Sequence, residues 1–127
     1  MNIDKPQTIT ARNAEIVTQF NQLLDSHLSD FMAGRVHQMF ELQELADAMC
    51  LHPVHLSKVI KQETGKHACY WYEQRILTEA KALLANQALM IKDVAHRLDY
   101  DVSNFTKFFK RFTGITPSVY RRQLVGN

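Results

Sequence analysis

Two stretches of this chain place similar small and cationic side chains at the same spacing. The members of the two sets are Val54, Ser57 and Lys58 and, 49 residues later, Ser103, Thr106 and Lys107. Residues three and four apart share one face of a helix, so each set lines a single face. A hydroxyl donates and accepts hydrogen bonds, whereas a lysine ammonium only donates. Each face therefore suits a surface that is rich in acceptors and negative charge.

Both stretches lie inside an internal repeat. Residues 45–65 align without a gap on residues 94–114, and five of the 21 pairs are identical. Each copy predicts a short helix, a tight turn and a longer helix, which is the helix-turn-helix pattern. Two copies are too few for a solenoid. The identical pairs are Ala46/Ala95, Lys58/Lys107, Lys61/Lys110, Thr64/Thr113 and Gly65/Gly114.

The residue types within the repeat have physical reasons. The alanine pair fits a close crossing of two helices, where a larger side chain would push them apart. Cys50 and Asp99 fall at the turn position that often needs a left-handed backbone, which aspartate tolerates better than cysteine. The matched residues Met49/Leu98 and Leu56/Phe105 would hold the two helices of each copy together across the turn. The other matched apolar positions are Leu45/Val94, Leu51/Tyr100 and Ile60/Phe109.

Apolar periodicity predicts about seven helices and no strand, hence an all-α class. Residues 1–11 are polar and aperiodic and are expected to form a floppy lead-in. The first predicted helix begins at Arg12 and is broken at Gly34, and the others are Leu42–Met49, Pro53–Thr64, Ala68–Ala85, Ile91–Leu98, Val102–Thr113 and one from Pro117. Asp101 and Thr116 are the expected N-caps. Gly65 is expected to end its helix with a left-handed backbone, and Gly114 ends the helix before it. The predicted organisation is a lead-in and amphipathic helix (1–39), a first unit (40–67), a connecting helix (68–86) and a second unit (87–127).

Composition and charge narrow the function classes. The chain has 127 residues, 46% hydrophobic and 22% charged, which is typical of a globular protein. Residues 1–51 carry a balance of −4 and residues 52–127 one of +6, which favours a polyanionic partner for the later half. No apolar run could cross a bilayer, and the N-terminus lacks the apolar core of a secretory signal, so a cytoplasmic location is expected.

The sequence offers no arrangement typical of an enzyme or a cofactor site. No nucleophile with a base, paired carboxylates, glycine-rich phosphate loop or metal cluster occurs at usable spacing. Cys50 and Cys69 are expected to be buried thiols rather than zinc ligands. His52 and His55 stand three apart, but two ligands make a poor metal site. The chain is therefore expected to be neither an enzyme nor a holder of a cofactor.

The second copy resembles the AraC/XylS family of bacterial regulators. The resemblance rests on Val94-Ala95, on Phe105-Thr-Lys-Phe-Phe-Lys110 and on Gly114-Ile-Thr-Pro117 followed by Tyr120-Arg121. Upstream, Leu56-Ser-Lys58, Thr64-Gly-Lys66 and Trp71-Tyr-Glu-Gln-Arg75 fit as well, so it covers about residues 40–123. The chain departs from the family at Asp99, where members usually have glycine.

The resemblance implies a DNA-binding transcription regulator, more often an activator, associated with the nucleoid. A recognition helix puts its N-terminal residues against base edges in the major groove. The base-facing candidates are Val54, Ser57, Lys58, Ser103, Thr106 and Lys107, positions that the resemblance also implies. The candidates for the sugar-phosphate backbone are His52, His55, Lys61, Asn104, Lys110, Arg111, Arg121 and Arg122.

The connecting helix sets the expected spacing of the two recognition helices. About 18 residues extend about 27 Å, close to the ~34 Å between successive major grooves on one face of DNA. One chain would thus insert two different helices and recognise an asymmetric site without a palindrome. Double-stranded DNA is the expected partner, and RNA polymerase is a candidate second partner for an activator.

Two further questions stay open at this point. The chain has no room for a sensor or dimerisation domain, so it is a stand-alone regulator or a fragment. A helical adaptor or anti-regulator without DNA binding is the alternative function, and salt-sensitive DNA binding would separate the two. The first amphipathic helix is expected to pack against the first unit, with a partner surface as the alternative.

Overall fold

The computed structural model describes residues 4–36 and 41–125, and within those ranges it contains seven α-helices and no strand. The predicted all-α class is confirmed, and from Leu42 onward the predicted helix limits agree to within one residue. The helices are α1 (Asp4–Met32), α2 (Leu42–Ala48), α3 (Pro53–Thr64), α4 (Ala68–Leu84), α5 (Ile91–Arg97), α6 (Val102–Thr113) and α7 (Pro117–Leu124).

The first helix is longer than its apolar face predicts. It begins at Asp4 rather than near Arg12, so the expectation of a floppy lead-in is wrong for residues 4–11. Pro6 is the third residue of α1, where the N–H that proline lacks would have no intrahelical partner. The missing apolar period, on which the expectation depended, does not prevent this segment from being helical.

The chain divides into two compact units, Met1–Tyr72 and Glu73–Asn127, and the division falls within α4. We refer to them as unit 1 and unit 2. The predicted limits at 67/68 and 86/87 stay predictions, and the limit at 39/40 lies outside the described residues.

Unit 1 is built around the apolar face of α1. Ile16, Phe20 and Leu24 are buried and pack with the inner residues of the two shorter helices, as expected from the sequence. The residues that they meet include Leu45, Ala46 and Met49 of α2 or its end and Leu56, Val59 and Ile60 of α3. The long helix therefore supplies the support that the first helix-turn-helix needs.

Unit 2 encloses a core rich in phenylalanine. Its helices α5 and α6 bury Val94, Ala95, Leu98, Phe105, Phe108 and Phe109. The Phe109 ring lies 6.0 Å from that of Phe105 and meets Tyr120 of α7 edge-on at 5.3 Å. The short C-terminal helix thus closes this core.

Both predicted turns have the left-handed backbone. Cys50 has a φ of 57° and Asp99 a φ of 64°, and the glycines after the recognition helices, Gly65 and Gly114, have φ values of 82° and 83°. The predicted left-handed positions are confirmed. Each left-handed residue lies between the short helix and the longer helix of its copy, α2 and α3 or α5 and α6.

The identical threonines close both recognition helices in the same way. Thr64 Oγ1 donates to the Ile60 carbonyl at 2.6 Å, and Thr113 Oγ1 donates to the Phe109 carbonyl at 2.8 Å. In unit 1 the Trp71 indole also donates to Thr64 Oγ1, at 2.8 Å. The repeated Thr-Gly pair is therefore a structural helix end, with the hydroxyl bonding back to the last turn.

The two cysteines correct a sequence expectation. Cys50 and Cys69 were expected to be buried, and the structure places both at the surface as free thiols. Cys50 lies at the left-handed turn and Cys69 is the second residue of α4, next to the buried Ala68. Neither position faces the core.

None of the helices within the described ranges has the length and apolarity to cross a membrane.

Candidate nucleic-acid interface

The N-terminal half of α3 leaves three predicted base-facing side chains open to solvent. Val54 is 57% exposed, Lys58 is exposed and Ser57 is half-buried. Lys58 forms no hydrogen bond or ion pair with any residue of the described ranges. The opposite face buries Leu56 against α1 and α2. The three side chains thus share the outward face that the sequence predicts.

Helix α6 repeats this arrangement position by position. Ser103 and Lys107 are exposed and Thr106 is half-buried, matching Val54, Lys58 and Ser57 of unit 1. Lys107 is likewise without a hydrogen bond or ion pair to the residues that the structure describes. Each unit therefore presents one uncompensated ammonium group beside one small hydroxyl.

The helix starts differ in chemistry. At α3, His52 Nδ1 accepts a hydrogen bond from the Val54 N–H at 3.1 Å. At α6, Asp101 Oδ1 accepts from the Asn104 N–H at 2.7 Å and its Oδ2 accepts from Asn104 Nδ2 at 2.9 Å. The matched positions thus hold an imidazole in unit 1 and a carboxylate in unit 2.

Several predicted backbone contacts are exposed cations near the recognition helices. Lys61, Lys110 and Arg122 are exposed, as are His52 and His55. Lys61 Nζ also lies 3.3 Å from the Gly65 carbonyl, which uses one of its three donors. These side chains remain available to meet phosphate oxygens.

Arg111 is more constrained than the sequence predicts. Its guanidinium donates to Glu73 Oε2 at 2.8 Å and lies 5.2 Å from the Phe112 ring centre. The pairing joins α6 to α4 within unit 2. Because Arg111 remains 62% exposed, the salt bridge does not remove it from solvent.

Arg121 forms contacts within unit 2 that the sequence did not predict. Its guanidinium donates to the carbonyls of Leu84, Asn86 and Leu89, at 2.9, 3.2 and 2.6 Å. These acceptors lie at the C-terminal end of α4 and in the loop that follows it, where unpaired carbonyls carry partial negative charge. The guanidinium thus binds this loop with three of its five N–H groups, and the phosphate contact expected for Arg121 stays a prediction. The acceptors are more than 30 residues away in sequence, so no local signal reveals them.

Tyr100 is a further residue that the sequence did not single out for its chemistry. Its ring stacks on Phe108 at 5.2 Å. Burial raises the pKa of the phenol, and the Glu73 carboxylate raises it further, while the Arg111 guanidinium acts in the opposite direction. Tyr100, Glu73 and Arg111 form a polar edge to the unit 2 core, and this arrangement carries no feature that indicates catalysis.

No metal site is indicated in residues 4–36 and 41–125, where no group of three His, Cys, Asp or Glu side chains is placed to hold an ion. His52 already uses one ring nitrogen to cap α3. This geometry favours a polar contact for His52 over the imagined pair of metal ligands with His55.

A helix-turn-helix domain model matches residues 45–123. The matched residues include both copies of the repeat and the helix between them. Relatives and solved structures of the AraC type are also similar to the chain. The chain belongs to the AraC/XylS family of transcription regulators. The family's two helix-turn-helix motifs correspond to the two units, and α3 and α6 stand at the recognition-helix positions.

Relatives support the assignment of this AraC/XylS chain. It is similar to the arabinose operon regulatory protein of Salmonella typhimurium, with 30% identity over 101 residues. That stretch is 79% of this chain and 34% of the relative. The chain thus spans about a third or less of the first curated relatives, down to 13% of a Bacillus subtilis regulator.

Solved structures share the AraC-type fold. The C-terminal domain of AraT, a response regulator from Geobacillus stearothermophilus, matches with a TM-score of 0.72 and 29% identity, over 85% of this chain and 84% of that one. The DNA-binding domain of AdpA in complex with a target DNA matches with a TM-score of 0.63 and 20% identity, over 79% and 90%. At that identity the second likeness shows the fold alone.

Proposed function

We propose that this chain is the part of a transcription regulator that recognises DNA, and that α3 and α6 each enter the major groove. The observation that carries the proposal is the matched pair of uncompensated lysines, Lys58 and Lys107, on the outward faces of the two recognition helices. Membership of a family of transcription regulators supports it.

Each outward face combines three kinds of contact. Lys58 and Lys107 donate to guanine O6 and N7, Ser57 and Thr106 bond to base edges, and Val54 meets a thymine methyl. Ser103 takes the position of Val54 in unit 2. These small and cationic groups suit a groove edge that offers acceptors and methyl groups.

A second set of side chains would hold the sugar-phosphate backbone. It consists of His52, His55, Lys61, Lys110, Arg111 and Arg122. Such contacts fix the register and supply salt-dependent affinity rather than sequence information. Arg111 contributes less than the others because Glu73 already neutralises it.

The two units would recognise two different blocks of one asymmetric site. Helix α4 has 17 residues, and a helix of that length extends about 26 Å. We expect the blocks to lie about ten base pairs apart, one turn of DNA. No palindrome is needed because the recognition helices differ in sequence.

The proposal extends to how the chain regulates transcription. The family resemblance favours an activator that works through RNA polymerase, with the chain located on the nucleoid in the cytoplasm and no catalytic step of its own. A sensor or dimerisation domain outside this sequence would supply effector control, since the chain spans only about a third of the arabinose regulator's length. A promoter fusion with and without the protein would give the sign of regulation.

The decisive experiment is selection from a random DNA pool, followed by a salt titration of the selected site. The proposal predicts two short blocks and an affinity that falls steeply with salt. Absence of any enrichment and of salt-dependent binding would overturn it and favour the helical adaptor.

A matched pair of variants tests the carrying observation. Lys58→Ala should weaken binding to the selected site by roughly 5–150-fold, equivalent to about 1–3 kcal/mol, and relax the preference for one base. Arg12→Ala removes the same charge from unit 1, but Arg12 lies on α1 and pairs with Glu15, so binding should change little. Equal losses for both variants would contradict base contact by Lys58.

A further inference from the structure

A pair of side chains at the start of α6 fixes the orientation of one exposed amide. Asp101 caps the helix by accepting the Asn104 N–H at 2.7 Å. Its second carboxylate oxygen accepts from the Asn104 side-chain nitrogen at 2.9 Å. Asn104 is exposed and stands on the first turn of the recognition helix. Its polar group is thus held in place at a surface that would face DNA.

Unit 1 lacks this arrangement at the matched positions. His52 and His55 occupy them, and the cap of α3 uses His52 alone. His55 makes no hydrogen bond with the residues that the structure describes. Of the matched residues His55 and Asn104, only Asn104 is therefore held by a side-chain hydrogen bond to a described residue before DNA is met.

The carboxylate also decides which amide atoms remain available. An ionised carboxylate accepts hydrogen bonds and cannot donate, so the amide nitrogen must face Asp101. One amide N–H is used there. The second N–H and the amide oxygen of Asn104 remain, which leaves one donor and one acceptor.

That combination discriminates among the base edges of the major groove. Adenine offers the N6 amino donor and the N7 acceptor, the complement of the free amide atoms. Guanine offers two acceptors there, cytosine a donor and thymine an acceptor beside a methyl group. Only adenine accepts and donates in the pattern that a single asparagine amide supplies.

We propose that Asn104 recognises an adenine in the DNA block of unit 2 and that Asp101 is the positioning residue for its amide; this inference rests on the proposed function. It replaces the phosphate contact that the sequence suggested for Asn104. A phosphate contact would use only the free N–H of Asn104 and would leave the amide oxygen without a donor, because phosphate oxygens accept and do not donate.

The test uses the full chain and the selected DNA site, with 7-deazaadenine substituted for each adenine of the unit 2 block in turn. This analogue lacks the N7 acceptor and keeps the N6 amino group. At one position the substitution should weaken binding by the wild type by roughly 5–150-fold. Asn104→Ala should lose a similar factor on the natural site and lose nothing further with the analogue at that position.

A second pair of variants separates the positioning role of Asp101 from its capping role. Asp101→Ser keeps a good N-cap while it removes the second oxygen that holds the amide. It should leave thermal stability nearly unchanged and reduce the effect of the analogue. Asp101→Asn also caps well, because its one amide oxygen can accept the Asn104 N–H. Its amide nitrogen cannot accept the hydrogen bond from Asn104 Nδ2, so this variant should also reduce the effect of the analogue. His55→Ala, the matched change in unit 1, should leave the analogue effect intact.

The outcomes distinguish this inference from the proposed function. One outcome overturns the adenine contact alone. The wild type binds DNA with sequence selectivity and salt dependence, but at every adenine the analogue weakens binding by Asn104→Ala as much as it weakens binding by the wild type. An undiminished analogue effect in both Asp101 variants overturns the positioning role. No sequence-selective binding by the wild type overturns the proposed function and this inference together.

Discussion

The two units share a backbone design and differ in how that design is supported. Both have a left-handed turn residue, a buried alanine and a Thr-Gly helix end at the same offset. Unit 1 is completed by a long helix, α1, whereas unit 2 is completed by the short α7 and an arginine that binds a loop. The difference teaches that the helix-turn-helix pattern specifies the turn but leaves open what supports it.

Charge separates the units as clearly as support does. Unit 1 holds six Lys and Arg against eight Asp and Glu, and unit 2 holds nine against five. We expect unit 2 to contribute more of the salt-dependent affinity, because long-range attraction follows the net charge of a surface. In unit 1, where the field is weaker, contacts at the helix start matter more.

The largest expected effect comes from removing the support of unit 1. Phe20→Ala deletes a fully buried ring of α1 and should lower the free energy of unfolding by about 3–5 kcal/mol. Amide hydrogen exchange should increase in α2 and α3 and much less in α6. Equal loss of protection in both units would contradict separate support. Gln19→Ala, at an exposed position of the same helix, is the control.

Next in size is the arginine of unit 2. Arg121→Ala removes the donor of the Leu84 and Leu89 carbonyls and one of the two donors of the Asn86 carbonyl, which also accepts from the Leu89 N–H. It should destabilise unit 2 by about 2 kcal/mol, after allowance for partial exposure of the guanidinium. Arg122→Ala, the exposed neighbour, should change stability by less than about 0.5 kcal/mol. Denaturant unfolding measures both. If Arg122→Ala were the more damaging change, the assignment of Arg121 to the loop would be wrong.

A smaller effect should distinguish the two turns. A left-handed residue with a Cβ is strained, and cysteine bears this strain worse than aspartate. Cys50→Gly should therefore raise the free energy of unfolding by up to about 1 kcal/mol, and Asp99→Gly by less. Thermal melts compare them. Cys50→Ser keeps the Cβ and should have almost no effect, so a gain as large as that of glycine would rule out backbone strain as the cause.

The smallest effect is a pH dependence that Tyr100 gives to unit 2. Burial raises the pKa of Tyr100, whereas the matched residue of unit 1 is Leu51, which does not titrate. Below the ordinary tyrosine pKa of about 10 the contribution is fully present, and it is lost as the pH rises through the folded value. The stability of the wild type should therefore fall relative to Tyr100→Phe above about pH 10. A stability difference that stays constant with pH would contradict this.

The repeat made most of the fold predictable from the sequence. Gly65, Gly114, Asp101 and Thr116 mark helix ends by local chemistry, and all four have the predicted role. Helix α1 was underestimated because its first turns carry no apolar period. The surface positions of Cys50 and Cys69 were missed because residue type alone suggested burial.

Some features of the candidate site depend on residues close together in the sequence, and others depend on residues far apart in it. The outward faces of α3 and α6 follow from helical spacing, which is local. The bond between Asp101 and Asn104 is also local, three residues apart, and the sequence contained the signal for it. The partners of Arg121 and Arg111 lie 32 to 38 residues away, so only the folded chain brings them together.

The unlike starts of α3 and α6 give the bound chain a direction. Because α3 begins with an imidazole and α6 with a carboxylate, the DNA contacts proposed for the two helices would not be interchangeable. A site inverted in place would carry the chain facing the opposite way, so any surface that meets the transcription machinery would then point upstream instead of downstream. Orientation relative to the promoter thus becomes information that the DNA itself can encode.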